Sequence, residues 1–182
     1  MFQSFSKKLF YINFNPNTNF SHRKDLYKSF QGFEWADSDK TQISLDGYKK
    51  RMSKYHFVLA PWGNGIDTHR FWEILYSGSI PVTKKHIIYE SFLNIPKIQI
   101  NNYSQVTKKF LNENIKVLDE NKEKYSFDEL DFKYWKNKIK SNEINATNIK
   151  PVLMKSYSYR YYGFTIDFKY RLKSKFKSFN RI

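Results

Sequence analysis

Apolar residues recur along this chain with two alternating spacings, and the switches between them mark out its elements. Leu9–Phe14 alternates with period two and is β-prone, so it predicts a first strand, ended by the run Asn15 to Asn19 around Pro16. A helix opening at Ser21 or His22 and reaching about Phe30 follows, then a short strand over Phe33–Ala36. Ser44 caps a predicted helix to about Tyr55, with Leu45, Tyr48 and Met52 spaced to face a core. His56–Pro61 is a short apolar run closed by proline, which fits a buried strand. Asp67 or Thr68 then caps a helix to about Tyr76, and Ile80–Val82 reads as the next strand. Beyond it come a helical turn at Ile87–Phe92, a strand at Ile98–Ile100 and a helix from Ser104 to about Glu120. Ser126 and Glu129 have the spacing of a capping box opening a last helix to about Lys140. Strands alternating with helices predict an α/β fold: a single Rossmann-like parallel sheet with helices on both faces.

The stretch His56 to Val82 carries the chemistry. In its helix, Phe71, Ile74, Leu75 and Gly78 share one face, while His69, Arg70, Glu73 and Ser77 share the other, giving a packed side and a chemical side. The loop before it holds Gly63 and Gly65 around Asn64, which permits positive φ and close backbone approach to a ligand. A glycine turn feeding a helix N-terminus is an anion site, because free N–H groups and the helix dipole both present positive charge. Arg70 adds a guanidinium suited to phosphate, and Glu73, one turn deeper, is an acceptor placed where a ribose would follow. Taken singly, each residue reads as an ordinary cap or surface ion pair; the strand, glycine loop, helix and strand together read as a nucleotide site.

Those residues resemble the donor-binding motif of exostosin-like glycosyltransferases. The likeness runs through Pro61, Gly63, Asn64, Gly65, Asp67, Arg70, Trp72, Glu73, Leu75 and Gly78 to Ile80, Pro81 and Val82, and is good over about Tyr55–Lys85. The spacing of Glu73, Gly78, Pro81 and Val82 is similar to that of GT-B transferases generally. Gly65 stands where many of them carry an earlier glutamate. The resemblance implies the donor half of a GT-B enzyme, with Gly63, Asn64, Gly65 and Arg70 on the donor diphosphate and Glu73 on the ribose. Arg23 and Lys24, after the first strand, take the place of the basic residue that reaches the diphosphate in that pattern. Asp67, His69 and Ser77 are the candidate sugar-side contacts. It further implies a nucleotide sugar as substrate rather than cofactor, no essential metal, and a glycan or lipid-linked acceptor. An acceptor-domain partner chain would supply the base, so the chain is expected to be a glycosyltransferase or its donor-binding half.

Composition changes this picture little. With 40% hydrophobic and 19% aromatic residues the chain is a folded one, of a length for one domain. The absence of cysteine excludes disulfides, thiol nucleophiles and cysteine–zinc sites. No apolar run reaches about 18 residues, and the first ten residues lack the apolar region of a signal peptide, so a cytoplasmic protein is expected. The net charge of +15 calls for polyanionic partners. Asp37 and Asp39 mimic the metal-binding Asp-x-Asp of GT-A enzymes, but the apolar run before them is short and broken by Glu34, so a polar turn is expected. Lys84, Lys85 and His86 lie just past the second strand of the motif, where ligand loops of parallel sheets gather.

The expected organisation is a nucleotide-sugar-binding domain over 1–141, then a linker and basic tail over 142–182. From Lys150 onward nine basic residues face one acid, Asp167. Phe164, Phe168, Leu172, Phe176 and Phe179 form a stripe at near-helical spacing, which predicts a basic amphipathic helix over 164–179 and peripheral membrane contact. The alternative to a transferase is therefore a basic nucleic-acid-binding or membrane-surface protein, with tyrosines as stacking platforms in the first case.

Overall fold

The computed structural model describes residues 7–39 and 43–143. The predicted tail helix over 164–179 lies outside them. Of the described residues, those up to Phe132 form one compact unit, and those from Lys133 on belong to a second.

The first unit is built on five strands: β1 (Lys8–Ile12), β2 (Ala36–Ser38), β3 (Tyr55–Leu59), β4 (Ile80–Lys84) and β5 (Ile98–Ile100). Their order in the sheet is β2-β1-β3-β4-β5, and every neighbouring pair is parallel. Phe10 is level with Ala36 on one side and with Phe57 on the other, and Phe57 in turn with Ile80. Central strands buried on both faces need continuous apolar runs, which Phe10-Tyr11-Ile12 and Phe57-Val58-Leu59 supply.

Helices cover both faces. After β1 come two short helices, α1 (Phe20–Arg23) and α2 (Leu26–Ser29), and after β5 the long α6 (Lys108–Glu120). Leu26, Phe30, Leu111 and Leu118 from this group pack with Phe10, Ile12, Phe57, Leu59, Val82 and Ile100 in the larger core. The opposite face carries α3 (Leu45–Met52), α4 (His69–Tyr76) and α5 (Ile87–Glu90). There Tyr48, Met52 and Ile74 enclose Tyr11 and Val58, while Phe71, Leu75, Tyr89 and Ile95 form a third cluster beside them. The chain reverses direction across the sheet between β1 and β3, so the segment leaving β1 goes to one face and the segment leaving β3 to the other. The sheet is Rossmann-like, and in such sheets a reversal of this kind is where a crevice opens at the carboxyl edge.

Local chemistry explains where the elements depart from the expected ones. The expected helix to Phe30 is two four-residue turns, interrupted at Lys24 and Asp25. β2 begins at Ala36, so Asp37 lies in the edge strand rather than in a turn. Ser126 opens no helix: its hydroxyl accepts from Asp128 N in a short 3-10 turn, and α7 (Phe132–Glu143) starts later. The α6 helix starts at Lys108, capped by the Thr107 hydroxyl, after a separate 3-10 turn at Tyr103–Gln105.

Gly78 is not on the packed face of α4. It is exposed at φ +73°, one residue past the C-cap Ser77, while Ser79 N reaches back to Ile74 O. No atom lies within 4 Å of where its Cβ would stand, so Gly78→Ala introduces backbone strain alone. It should cost about 1–2 kcal/mol in urea denaturation, the penalty of a left-handed L-residue.

Candidate functional site

The carboxyl-edge crevice is framed by the segments after β1 and β3. Arg23 ties them together. It is buried, its Nε donates to Trp62 O at 2.6 Å, its Nη2 to Pro61 O at 2.7 Å and its Nη1 to Asn15 O at 3.2 Å. Asn19, in the left-handed region at φ 54°, donates from Nδ2 to Gly63 O at 2.7 Å, and the Tyr89 hydroxyl donates to Ile66 O. Carbonyls along the β3–α4 loop are thus held by three side chains from two other segments, Asn19 and Arg23 after β1 and Tyr89 in α5. Among the described residues, the N–H groups of Asn64, Gly65, His69 and Arg70 meet no protein acceptor.

Neither Gly63 nor Gly65 uses the positive φ that a glycine permits. What Gly63 provides is closeness: a Cβ there would stand 3.4 Å from Arg23 Nη2 and 3.5 Å from Thr68 Cγ2. Thr68 is the N-cap of α4, with extended backbone at φ −117° and ψ 142°, yet no side chain caps the helix. The Asp67 carboxylate accepts from Trp72 Nε1 at 2.8 Å instead. The α4 N-terminus therefore keeps its partial positive charge facing outward.

Arg70 sits in the first turn of that helix. Its guanidinium lies 4.0 Å from the centroid of the Tyr48 ring, its Nη1 is buried with no hydrogen-bond partner, and its Nε is 3.8 Å from Glu73 Oε2. Burial pulls its pKa down to about 10, with Glu73 opposing the fall, so it stays cationic at neutral pH. A desolvated guanidinium stacked on a ring and incompletely paired favours the arrival of an anion. Glu73, one turn deeper, keeps its partly exposed carboxylate beside it.

The remaining expected contacts fall in different places. Arg23, expected on the diphosphate, is committed to carbonyls and acts as a brace. Lys24 is exposed, with its ammonium over the Phe20 ring. His69 is exposed at the start of α4, next to the loop. Ser77 closes the far end of α4, about 12 Å along the helix axis from its start, and donates to Ile74 O, which separates it from the loop. His86 caps α5, with Nδ1 accepting from Ile88 N. Tyr48 and Asn19 were not legible beforehand: Tyr48 looked like core from its spacing, and Asn19 was one asparagine among many.

Asp37 and Asp39 are both paired. Asp37 Oδ2 receives Lys8 Nζ and Tyr55 OH, each at 2.7 Å. Asp39 takes the Arg51 fork at 2.6 and 2.9 Å and the Tyr11 hydroxyl at 3.0 Å, which itself accepts from Asn13 Nδ2. No group of three or more metal-ligating side chains occurs among the described residues. Nor is any helix among them long and apolar enough to cross a membrane.

The fold is that of a Rossmann-like α/β domain, with Arg70 and the uncapped α4 N-terminus following the central strand β3. Comparison with protein-family models and with curated proteins gave no match.

Two consequences are measurable. Arg23→Met leaves buried carbonyls unpaired and should lower stability by about 3 kcal/mol in urea; Arg23→Lys should recover little, because a single ammonium cannot span three carbonyls. The Arg51 fork, aided by Tyr11, holds the Asp39 carboxyl below its usual range against a smaller cost of burial. Its contribution is therefore complete above the unfolded value of about 3.9 and is lost as pH falls through the lower folded value. Asp39→Asn should flatten the acid limb of a stability–pH curve below about pH 5, read by urea midpoints.

Proposed function

We propose that this chain binds the diphosphate of a nucleotide-sugar donor in the carboxyl-edge crevice and serves as the donor-binding part of a glycosyltransferase acting on a glycan or lipid-linked acceptor. The observation that carries the reading is Arg70: a buried guanidinium with an unpaired Nη1, set on Tyr48 at the uncapped N-terminus of α4. Phosphoryl oxygens accept from that guanidinium and from the open loop amides, while Glu73 accepts from ribose hydroxyls. Crevices at the switch point of open parallel sheets are where such ligands bind. The resemblance to the exostosin-like motif adds the sugar-transfer chemistry. Binding needs no bridging metal in this scheme, since Lys8, Arg51 and tyrosine hydroxyls already occupy Asp37 and Asp39. Nucleic-acid binding draws only on net charge and aromatic content.

Calorimetric titration with a panel of nucleoside diphosphates and nucleotide sugars tests this. Arg70→Ala should weaken the bound ligand by about 1.5–3 kcal/mol, the value of a charged hydrogen bond, and Glu73→Gln should weaken it less. Both variants should melt as cooperatively as the wild type, and chelator should leave the wild-type affinity unchanged. Equal affinity of wild type and both variants, or no binding by the wild type, would refute the donor site.

A further inference from the structure

A second cation stands at the carboxyl end of β4, over the Trp62 ring at the start of the glycine loop. Lys84 Nζ lies 5.8 Å from the centroid of the Trp62 ring and 5.8 Å from that of Tyr103. Trp62 opens the β3–α4 loop, with its carbonyl held by Arg23, and its ring meets His86 edge-on at 5.6 Å. Tyr103 follows β5, and burial pushes its phenol up to about 12, so it remains neutral beside the lysine. The two rings therefore fix the position of the ammonium without neutralising it.

No carboxylate among the described residues lies within ion-pair distance of Lys84, whereas the adjacent Lys85 Nζ is 3.4 Å from Glu90 Oε1. Trp62 Nε1 is also a buried donor without a partner. The groups gathered here are thus a cation and a donor with nothing to accept from them, and they adjoin the loop whose other end is the α4 N-terminus. Lysine suits such a place, because a compact ammonium on a flexible stem contacts a phosphoryl group as a point charge.

We propose that Lys84 contacts one phosphoryl group of the ligand while Arg70 and the loop amides hold the other, so that the recognised unit is a diphosphate rather than a single phosphate. The inference rests on the donor-site reading. It makes Lys84 a specificity residue, one that separates nucleoside diphosphates and their sugar esters from monophosphates.

Inorganic pyrophosphate and orthophosphate are probes that need no knowledge of the base. Each is titrated into the wild type and into Lys84→Gln, Lys84→Arg and Lys85→Gln, followed by amide NMR shifts at about 0.15 M ionic strength to screen long-range charge. The wild type should prefer pyrophosphate, and Lys84→Gln should lose about tenfold or more of that affinity, with orthophosphate binding little changed. Lys84→Arg should keep most of it, and Lys85→Gln all of it. If Lys84→Gln matches the wild type, or if Lys85→Gln loses as much, Lys84 is not a ligand contact and the donor site at Arg70 stands without it. If the wild type binds neither pyrophosphate nor any nucleoside diphosphate, the donor reading falls as well. Thermal melts establish that the variants are folded; should Lys84→Gln not be, Lys84→Met takes its place with the same expected loss and the same refuting result.

Discussion

The hydrogen bonds from Arg23 to the carbonyls of Pro61, Trp62 and Asn15 are the constraint on which the carboxyl edge of this protein depends. Divergence of the chain to opposite faces after β1 and β3 creates a crevice but does not by itself shape its walls. A guanidinium has donors in a rigid fork, so one side chain can fix carbonyls from both walls at once. Burial of the guanidinium lowers the pKa of Arg23. An apolar side chain there would leave the buried Pro61 carbonyl, above all, without a donor.

In one peptide unit of the loop, Gly63 to Asn64, the carbonyl is held by Asn19 while the N–H meets no protein acceptor. The N–H groups of His69 and Arg70 are open for a separate reason, as first-turn donors of α4. Asp67 reinforces the effect by accepting from Trp72 rather than capping α4. Had either Asp67 or Thr68 capped the helix, its dipole would be partly answered from within.

The distribution of charge follows the same division. Asp37 and Asp39 are compensated by Lys8 and Arg51 and by tyrosine hydroxyls, a polar network around the edge strand that stabilises the sheet. Arg70 and Lys84 differ. Each lies against aromatic rings, Arg70 has only Glu73 at 3.8 Å, and neither is matched by a closely bonded carboxylate. Aromatic support places a cation without using up its charge, leaving the field at the carboxyl edge available to a ligand.

By itself the sequence determined that this is a parallel α/β domain, because short apolar runs such as Phe57-Val58-Leu59 and the amphipathic spacing of α4 are set by backbone periodicity alone. It also placed the loop Gly63 to Gly65 before α4, and Arg70 and Glu73 on it one turn apart. Tertiary structure decided the rest. Helical spacing put Ser77 on the same face as Arg70 and Glu73, but a face says nothing of position along the helix, and Ser77 lies at the end opposite the Gly63 to Gly65 loop. Gly78 kept the periodicity of a packed position yet serves to terminate the helix, since backbone geometry there overrides side-chain pattern. Asp37 and Asp39 were ambiguous because their cations, Lys8 and Arg51, come from other elements. Whether Arg23 reads as a solvated cation, a ligand contact or a brace depends on carbonyls nearly forty residues away, which meet it only when β1 and β3 pair side by side.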